Sequence, residues 1–87
     1  VVLHGTDTLE QTLAHCFQTR PNPPVPVVFT GAMKPAGFDD TDAHQNFTEA
    51  IFAAQIIEPG YYVSFHGRLF RAPNVTKNRQ KRTFETT

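Results

Sequence analysis

The stretch Val25-Pro26-Val27-Val28-Phe29-Thr30-Gly31-Ala32-Met33-Lys34-Pro35 decides the fold. Val25 to Thr30 has the composition of a strand, and Pro26 is tolerable at its start though not at its centre. Gly31 to Pro35 then leaves that strand as a tight loop. Upstream, Val1-Val2-Leu3 closed by His4-Gly5 has the pattern of a second strand, one buried on both faces. A helix is predicted between the two. Thr8 is a good N-cap, Thr8-Leu9-Glu10-Gln11 fits the capping box, and Leu9, Leu13, Cys16 and Phe17 share one apolar face. Pro21, Pro23 and Pro24 stop that helix.

Downstream of Pro35 a polar stretch runs through Asp42 into a second helix. Its buried stripe is expected to be Ala43, Phe47, Ala50, Ile51 and Ala54, and Pro59-Gly60 breaks it. Tyr61 to Phe65 is the third strand, and His66-Gly67 turns into a short extended piece, Arg68-Leu69-Phe70. From Arg71 onward the chain is polar and basic without periodic apolar positions, so it reads as irregular. The alternation of strand and helix predicts an α/β, three-layer fold with parallel strands and right-handed helical crossovers. In such a sheet every loop after a strand emerges at the same carboxyl edge, where open α/β folds bind ligands. His4-Gly5-Thr6-Asp7, Gly31 to Lys34, and the segment from His66 to Lys77 are therefore expected to face one another.

Composition bounds the rest. Eighty-seven residues allow one domain, and a chain of this length buries only about 60–65% of its unfolded surface. Because Val1-Val2-Leu3 reads as the interior of a strand, part of the domain is expected to precede it. Eight basic residues balance eight acidic ones, which argues against a general nucleic-acid or membrane-surface role. The basic residues at the end lack stacking aromatics beyond Phe70 and Phe84, so they read as a solvated surface. No apolar run approaches a membrane span of roughly 18–20 residues. Cys16 is alone, which excludes an internal disulfide and is compatible with a reducing compartment. His4, His15, His44 and His66 show no metal-ligand spacing with it, so no metal is expected. The sequons at Asn46 and Asn74 read as chance matches, and no glycine-rich nucleotide motif is present.

A threonine hydroxyl beside a carboxylate, with a lysine from another loop, is one known way to activate a nucleophile. A desolvated lysine can act as base for the hydroxyl, and an aspartate can hold that lysine in place. On residue types alone the bland alternative is a helix-capping threonine and a solvated lysine.

Three motifs shift that balance. His4-Gly5-Thr6-Asp7-Thr8, Thr30-Gly31-Ala32-Met33-Lys34-Pro35 and Asn74-Val75-Thr76-Lys77 resemble, in order and spacing, signatures of the bacterial-type asparaginase/glutaminase family. The resemblance runs from Val1 to about Glu85, and Phe38 to Ala43 is more similar to the short asparaginase-domain proteins than to the long two-domain ones. It implies a Rossmann-like or flavodoxin-like part of an asparaginase N-terminal domain over residues 1–87. It also implies Thr6, Asp7 and Lys77 as catalytic residues, and Gly5, Asp7 and Ala32 at the substrate. The family's first threonine, in a TGGT-like segment, is not in the chain, and Asn74 stands where the family has aspartate. The implied reaction is hydrolysis of the side-chain amide of L-asparagine, or a similar small amide, through a threonine acyl-enzyme without a cofactor. A cytoplasmic homo-oligomer whose partner is a small-molecule amide goes with it. Without the first threonine, this stretch by itself is expected to be inactive. The competing reading, from another class, is a non-catalytic asparaginase-like fold used for ligand binding or subunit assembly.

Overall fold

A computed structural model describes residues 1–35 and 37–87, so Ala36, in the polar stretch expected after the second strand, lies outside the described residues. The elements are β1 (Val2–Leu3), α1 (Leu9–Thr19), β2 (Pro26–Thr30), α2 (Ala43–Ile56), β3 (Gly60–Phe65), β4 (Arg68–Arg71), β5 (Thr76–Asn78) and β6 (Thr83–Glu85). The first four strands form one sheet in the order β1-β2-β3-β4. β1, β2 and β3 are parallel, and β4 returns antiparallel along β3. The hairpin between β3 and β4 turns on His66 and Gly67, with φ 49° and 76°. Both lie in the left-handed region that matches the twist of a two-residue hairpin.

Alternation along the strands sorts the core into two layers. Phe29, Tyr61, Val63 and Phe65 pack with Leu9 and Leu13 of α1, and with Phe70, Val75 and Phe84. Val28 and Tyr62, which point the other way, pack with Ala50 of α2 and with Ala54 and Ile57. The sheet therefore lies between the two helices, as the three-layer expectation requires. Because the strands add in one direction while the helices take opposite faces, the two crossovers have opposite hands. One of them departs from the right-handed expectation. Between β2 and α2, residues Gly31, Met33 and Lys34 are held by hydrogen bonds to Asp42 and Asn46, described below.

Four further expectations are corrected. β1 is not buried on both faces: Leu3 is 63% exposed, because β1 is the edge strand of this sheet. Thr8 occupies the N-cap position, but its side chain makes no cap hydrogen bond. Its ψ of 5°, far from the extended value of a capping residue, turns the hydroxyl away from the helix amides. α2 is rotated from its apolar stripe, burying Asn46 and Ala50 while Phe47 and Ile51 are exposed. The segment after Arg71 is not irregular: β5 and β6 form an antiparallel hairpin with Lys77 opposite Phe84. Phe84 has no exposed surface and meets Phe65 edge-on at 5.0 Å, so a single aromatic docks the hairpin on the core.

Gly31 marks where the first two strands converge. The amide of His4 donates to Thr30 O at 2.9 Å, and a Cβ on Gly31 would lie 2.3 Å from the carbonyl oxygen of His4. That contact involves backbone on both sides and cannot be relieved by a rotamer change. Gly31→Ala is expected to lower stability by about 1–3 kcal/mol through forced separation of β1 from β2. Urea unfolding monitored by circular dichroism checks this, and an unchanged midpoint would show that the close approach carries no constraint.

Candidate active site

The loop after β1 and the β5 strand meet at the carboxyl edge of the sheet. His4 fixes the first of them. Its Nδ1 donates to Gly5 O at 2.8 Å, so Nε2 accepts from the Thr12 hydroxyl at 2.9 Å and ties the strand end to α1. Thr6 and Asp7 follow directly. Lys77 reaches them from β5: its Nζ donates to Thr6 Oγ1 at 3.0 Å and to Asp7 Oδ1 at 2.9 Å. The lysine side chain is only 8% exposed, whereas that of Asp7 is 83% exposed. A side chain withdrawn from water in this way needs partners for its ammonium, and a hydroxyl and a carboxylate supply them.

Thr6, Asp7, Met33, Lys77, Arg79 and Arg82 line a cleft of about 330 Å³. Arg79 donates to Asp7 Oδ1 at 3.1 Å, a contact that sequence reading missed because only the fold brings the basic end of the chain to the β1 loop. The hydrogen bond from Lys77, and after it that from Arg79, hold the Asp7 carboxyl below its ordinary value of 3.8. Lys34, the other lysine near a strand end, turns away and pairs with Asp40 at 2.8 Å. Of the remaining residues expected at the site, Gly5 is exposed, with its carbonyl engaged by His4. Ala32 does not line the Thr6–Lys77 cleft. It borders a neighbouring apolar depression with Leu3, Gly31, Ala43, His44 and Phe47, because the loop after β2 turns its backbone toward α2 there. Among the described residues no three His, Cys, Asp or Glu side chains gather as a metal-binding group. Among them, too, no helix is long and apolar enough to cross a membrane.

The loop that carries Met33 rests on α2. Asp42 accepts from the amides of Met33 at 3.1 Å and Lys34 at 3.0 Å. Burial pushes the Asp42 carboxyl up, but the Lys34 amide, the His66 ring and the Met33 amide outweigh it and bring the carboxyl below 3.8.

Residues 1–86 match the family described as "Asparaginase, N-terminal". The chain belongs to the asparaginase family. It is 42% identical over 78 residues to an L-asparaginase of Thermococcus kodakarensis, covering 88% of this chain and 24% of that protein. An L-asparaginase of Bacillus licheniformis is 39% identical over 80 residues, again 88% of this chain and 24% of the relative. A glutamyl-tRNA(Gln) amidotransferase polypeptide of Methanobrevibacter smithii is 36% identical over 69 residues, 79% of this chain and 16% of that protein. In structure the chain is similar to the thermostable L-asparaginase from Thermococcus kodakarensis. The TM-score is 0.90 at 35% identity, over 97% of this chain and 26% of that one. The chain thus spans about a quarter of the length of the asparaginases it resembles.

Asp42 gives a pH prediction. A carboxyl whose folded pKa is depressed stabilises the fold fully above its unfolded value and loses that contribution as pH falls through the folded one. Asp42→Asn is expected to cost about 1–3 kcal/mol at pH 7 through the lost charged acceptor. The gap to the unsubstituted protein should close below pH 3.8. Urea midpoints of both proteins between pH 7 and pH 3 test it, and a gap that stayed constant would assign the stability to something other than the carboxylate.

Proposed function

We propose that this chain is part of an amidohydrolase that converts the side-chain amide of L-asparagine, or of a similar small amide, to the carboxylate and ammonia through a threonine acyl-enzyme. The carrying observation is the meeting of Lys77 Nζ with Thr6 Oγ1 and Asp7 Oδ1 within 3.0 Å, across some seventy positions of sequence. A lysine becomes a base for a hydroxyl once its ammonium has given up a proton, Asp7 orients it, and Thr6 lines the cleft beside it. In the first step a threonine oxygen attacks the amide carbon and its proton passes to the lysine group. The tetrahedral intermediate collapses as the C–N bond breaks, and the departing nitrogen takes that proton and leaves as ammonia. Water then cleaves the ester by the same exchange in reverse order. Family membership supports the reaction class, and the names of the relatives point to asparagine as the amide. On the family pattern the attacking threonine lies in a TGGT-like segment, with Thr6, Asp7 and Lys77 moving its proton. Assembly as a homo-oligomer is part of the same reading.

The full-length protein that contains this chain is expected to release ammonia from asparagine. Lys77→Ala, Thr6→Ala and Asp7→Ala should each lower kcat by about a hundredfold or more, since groups that act as a unit fail together. Lys77→Arg should not rescue, because a guanidinium keeps its proton. A coupled ammonia assay on asparagine and glutamine reads activity, with circular dichroism as the folding control. Undiminished turnover in folded Lys77→Ala would remove this mechanism, and ligand binding without turnover in the unsubstituted protein would favour the non-catalytic reading.

A further inference from the structure

A chain of hydrogen bonds joins the two walls of the Thr6–Lys77 cleft from outside it. Asn46 sits fully buried on α2, where a polar side chain persists only with partners. Its Nδ2 donates to Gly31 O at 3.0 Å and to Asp42 Oδ2 at 3.2 Å, and its Oδ1 accepts from the amide of His66 at 3.0 Å. Asp42 meanwhile holds the Met33 and Lys34 amides and meets His66 Nε2 at 2.6 Å. The other ring nitrogen, Nδ1, lies 2.8 Å from Thr83 Oγ1. Thr83 pairs with Asn78 in the β5–β6 hairpin, one position from the Lys77–Phe84 pair. Met33 lines one side of the cleft and Lys77 another. The path Met33–Asp42–His66–Thr83–β5 therefore spans the site's two supports.

The direction of each bond follows from the groups. A carboxylate only accepts, so Nε2 of His66 donates to Asp42, and Nδ1 shares its hydrogen bond with the Thr83 hydroxyl. The left-handed backbone at His66 (φ 49°) is what lets one ring face both ways, since it sets the side chain at the corner between the sheet and the hairpin.

We propose that His66, linked to Asp42 on one side and Thr83 on the other, is a positioning residue that holds the Lys77 hairpin in register with the Gly31–Lys34 loop. The inference rests on the reading of Thr6, Asp7 and Lys77 as the proton-transfer group. A base displaced by a fraction of an ångström loses rate before it loses affinity. Lys77 keeps its own bonds to Thr6 and Asp7, so the expected loss in kcat is about tenfold rather than the hundredfold of a full misplacement.

The test uses the full-length protein. Thr83→Val removes the hydroxyl while keeping the shape and the preference for a strand, and Thr83→Ser restores the hydroxyl. Thr83→Val should lower kcat about tenfold with KM within about twofold, while Thr83→Ser returns kcat to near the original. In a His66→Ala background, Thr83→Val should add no further loss, because both break one path. A purely structural role would instead appear as a lowered melting temperature and independent losses in the two backgrounds. Wild-type kcat in Thr83→Val, in a protein that Lys77→Ala inactivates, overturns the proposal and leaves the active-site reading intact. Should Lys77→Ala stay active, the reading of the site fails. The positioning is then judged by a crystal structure of Thr83→Val: displacement of the β5–β6 hairpin relative to the Gly31–Lys34 loop supports it, and an unmoved hairpin overturns it.

Discussion

The side chain of Lys77 is largely withdrawn from water, and its ammonium is held by Asp7 and Thr6, which accept its hydrogen bonds. Removing a charge from water costs several kcal/mol unless partners replace the solvent. This pairing therefore fixes where the β5–β6 hairpin ends up. The hairpin has little else of its own: three residues in each strand, with Phe84 against Phe65 as its apolar anchor. Two attachments of different kind act on the same residue pair of the ladder. Phe84 draws one face of the hairpin into the core, and Lys77, its partner across the ladder, is drawn to the loop after β1. The core contact supplies affinity, and the charged contact supplies register.

The other wall of the cleft is built by a different rule. Parallel pairing of β1 with β2 brings His4 and Gly31 so close that a side chain at residue 31 has no room. The chain leaving β2 must then satisfy its backbone groups at once, at a sheet edge where no further strand accepts them. Asp42, at the N-cap of α2, and Asn46, within it, do so, taking up the amides of Met33 and Lys34 and the carbonyl of Gly31. Such contacts set the rotation of α2 about its own axis. Turning the helix to bury Phe47 and Ile51 would strand those backbone groups, at about 1–3 kcal/mol for each one left unpaired. Leaving two apolar side chains partly in water is the smaller loss. Phe47 is 41% and Ile51 38% exposed, so neither forfeits all of its burial.

These balances explain what the sequence revealed and what it withheld. The strands at Val25–Thr30 and Tyr61–Phe65 and both helices were legible because apolar spacing follows directly from strand and helix geometry. The stripe on α2 was misread because spacing weighs apolar residues only, whereas Asn46 is held inside by backbone groups that come from other elements. β1 looked doubly buried because its residue types suit a central strand, yet nothing in the run Val-Val-Leu states how many neighbours it has. β5 and β6 were missed because Thr-Lys-Asn and Thr-Phe-Glu are too short and too polar to show a period. That the segments carrying Thr6, Asp7 and Lys77 meet followed from the common sheet edge, whereas these three residues were singled out within them through motifs. Arg79, Asp42 and His66 had no local signal: the Arg79–Asp7 and His66–Asp42 contacts join residues more than 20 positions apart, through a topology that apolar spacing outlined without locating their side chains.

The charge of the cleft carries a consequence for catalysis on the proposed reading. Its lining holds one carboxylate, Asp7, against Lys77, Arg79 and Arg82. A cationic site attracts an amino acid through its carboxylate, but hydrolysis of a side-chain amide creates a second carboxylate. The field that gathers substrate therefore favours product still more, and tight product binding slows turnover as surely as a high chemical barrier does. Asp7 works against this. Both Lys77 and Arg79 converge on its Oδ1, so its single negative charge, shared between two of the three cations, cancels one of the three positive charges beside Thr6. Depression of its carboxyl below 3.8 keeps that offset in place at any pH above the ordinary carboxylate range. The guanidinium of Arg79 is 64% exposed and Asp7 more so, so salt screens the outer part of this field. The pairing of Asp7 with the secluded ammonium of Lys77 is screened least. Asp7 thus serves two ends with one carboxylate, holding the lysine at Thr6 and limiting the attraction that would otherwise retain the acid product.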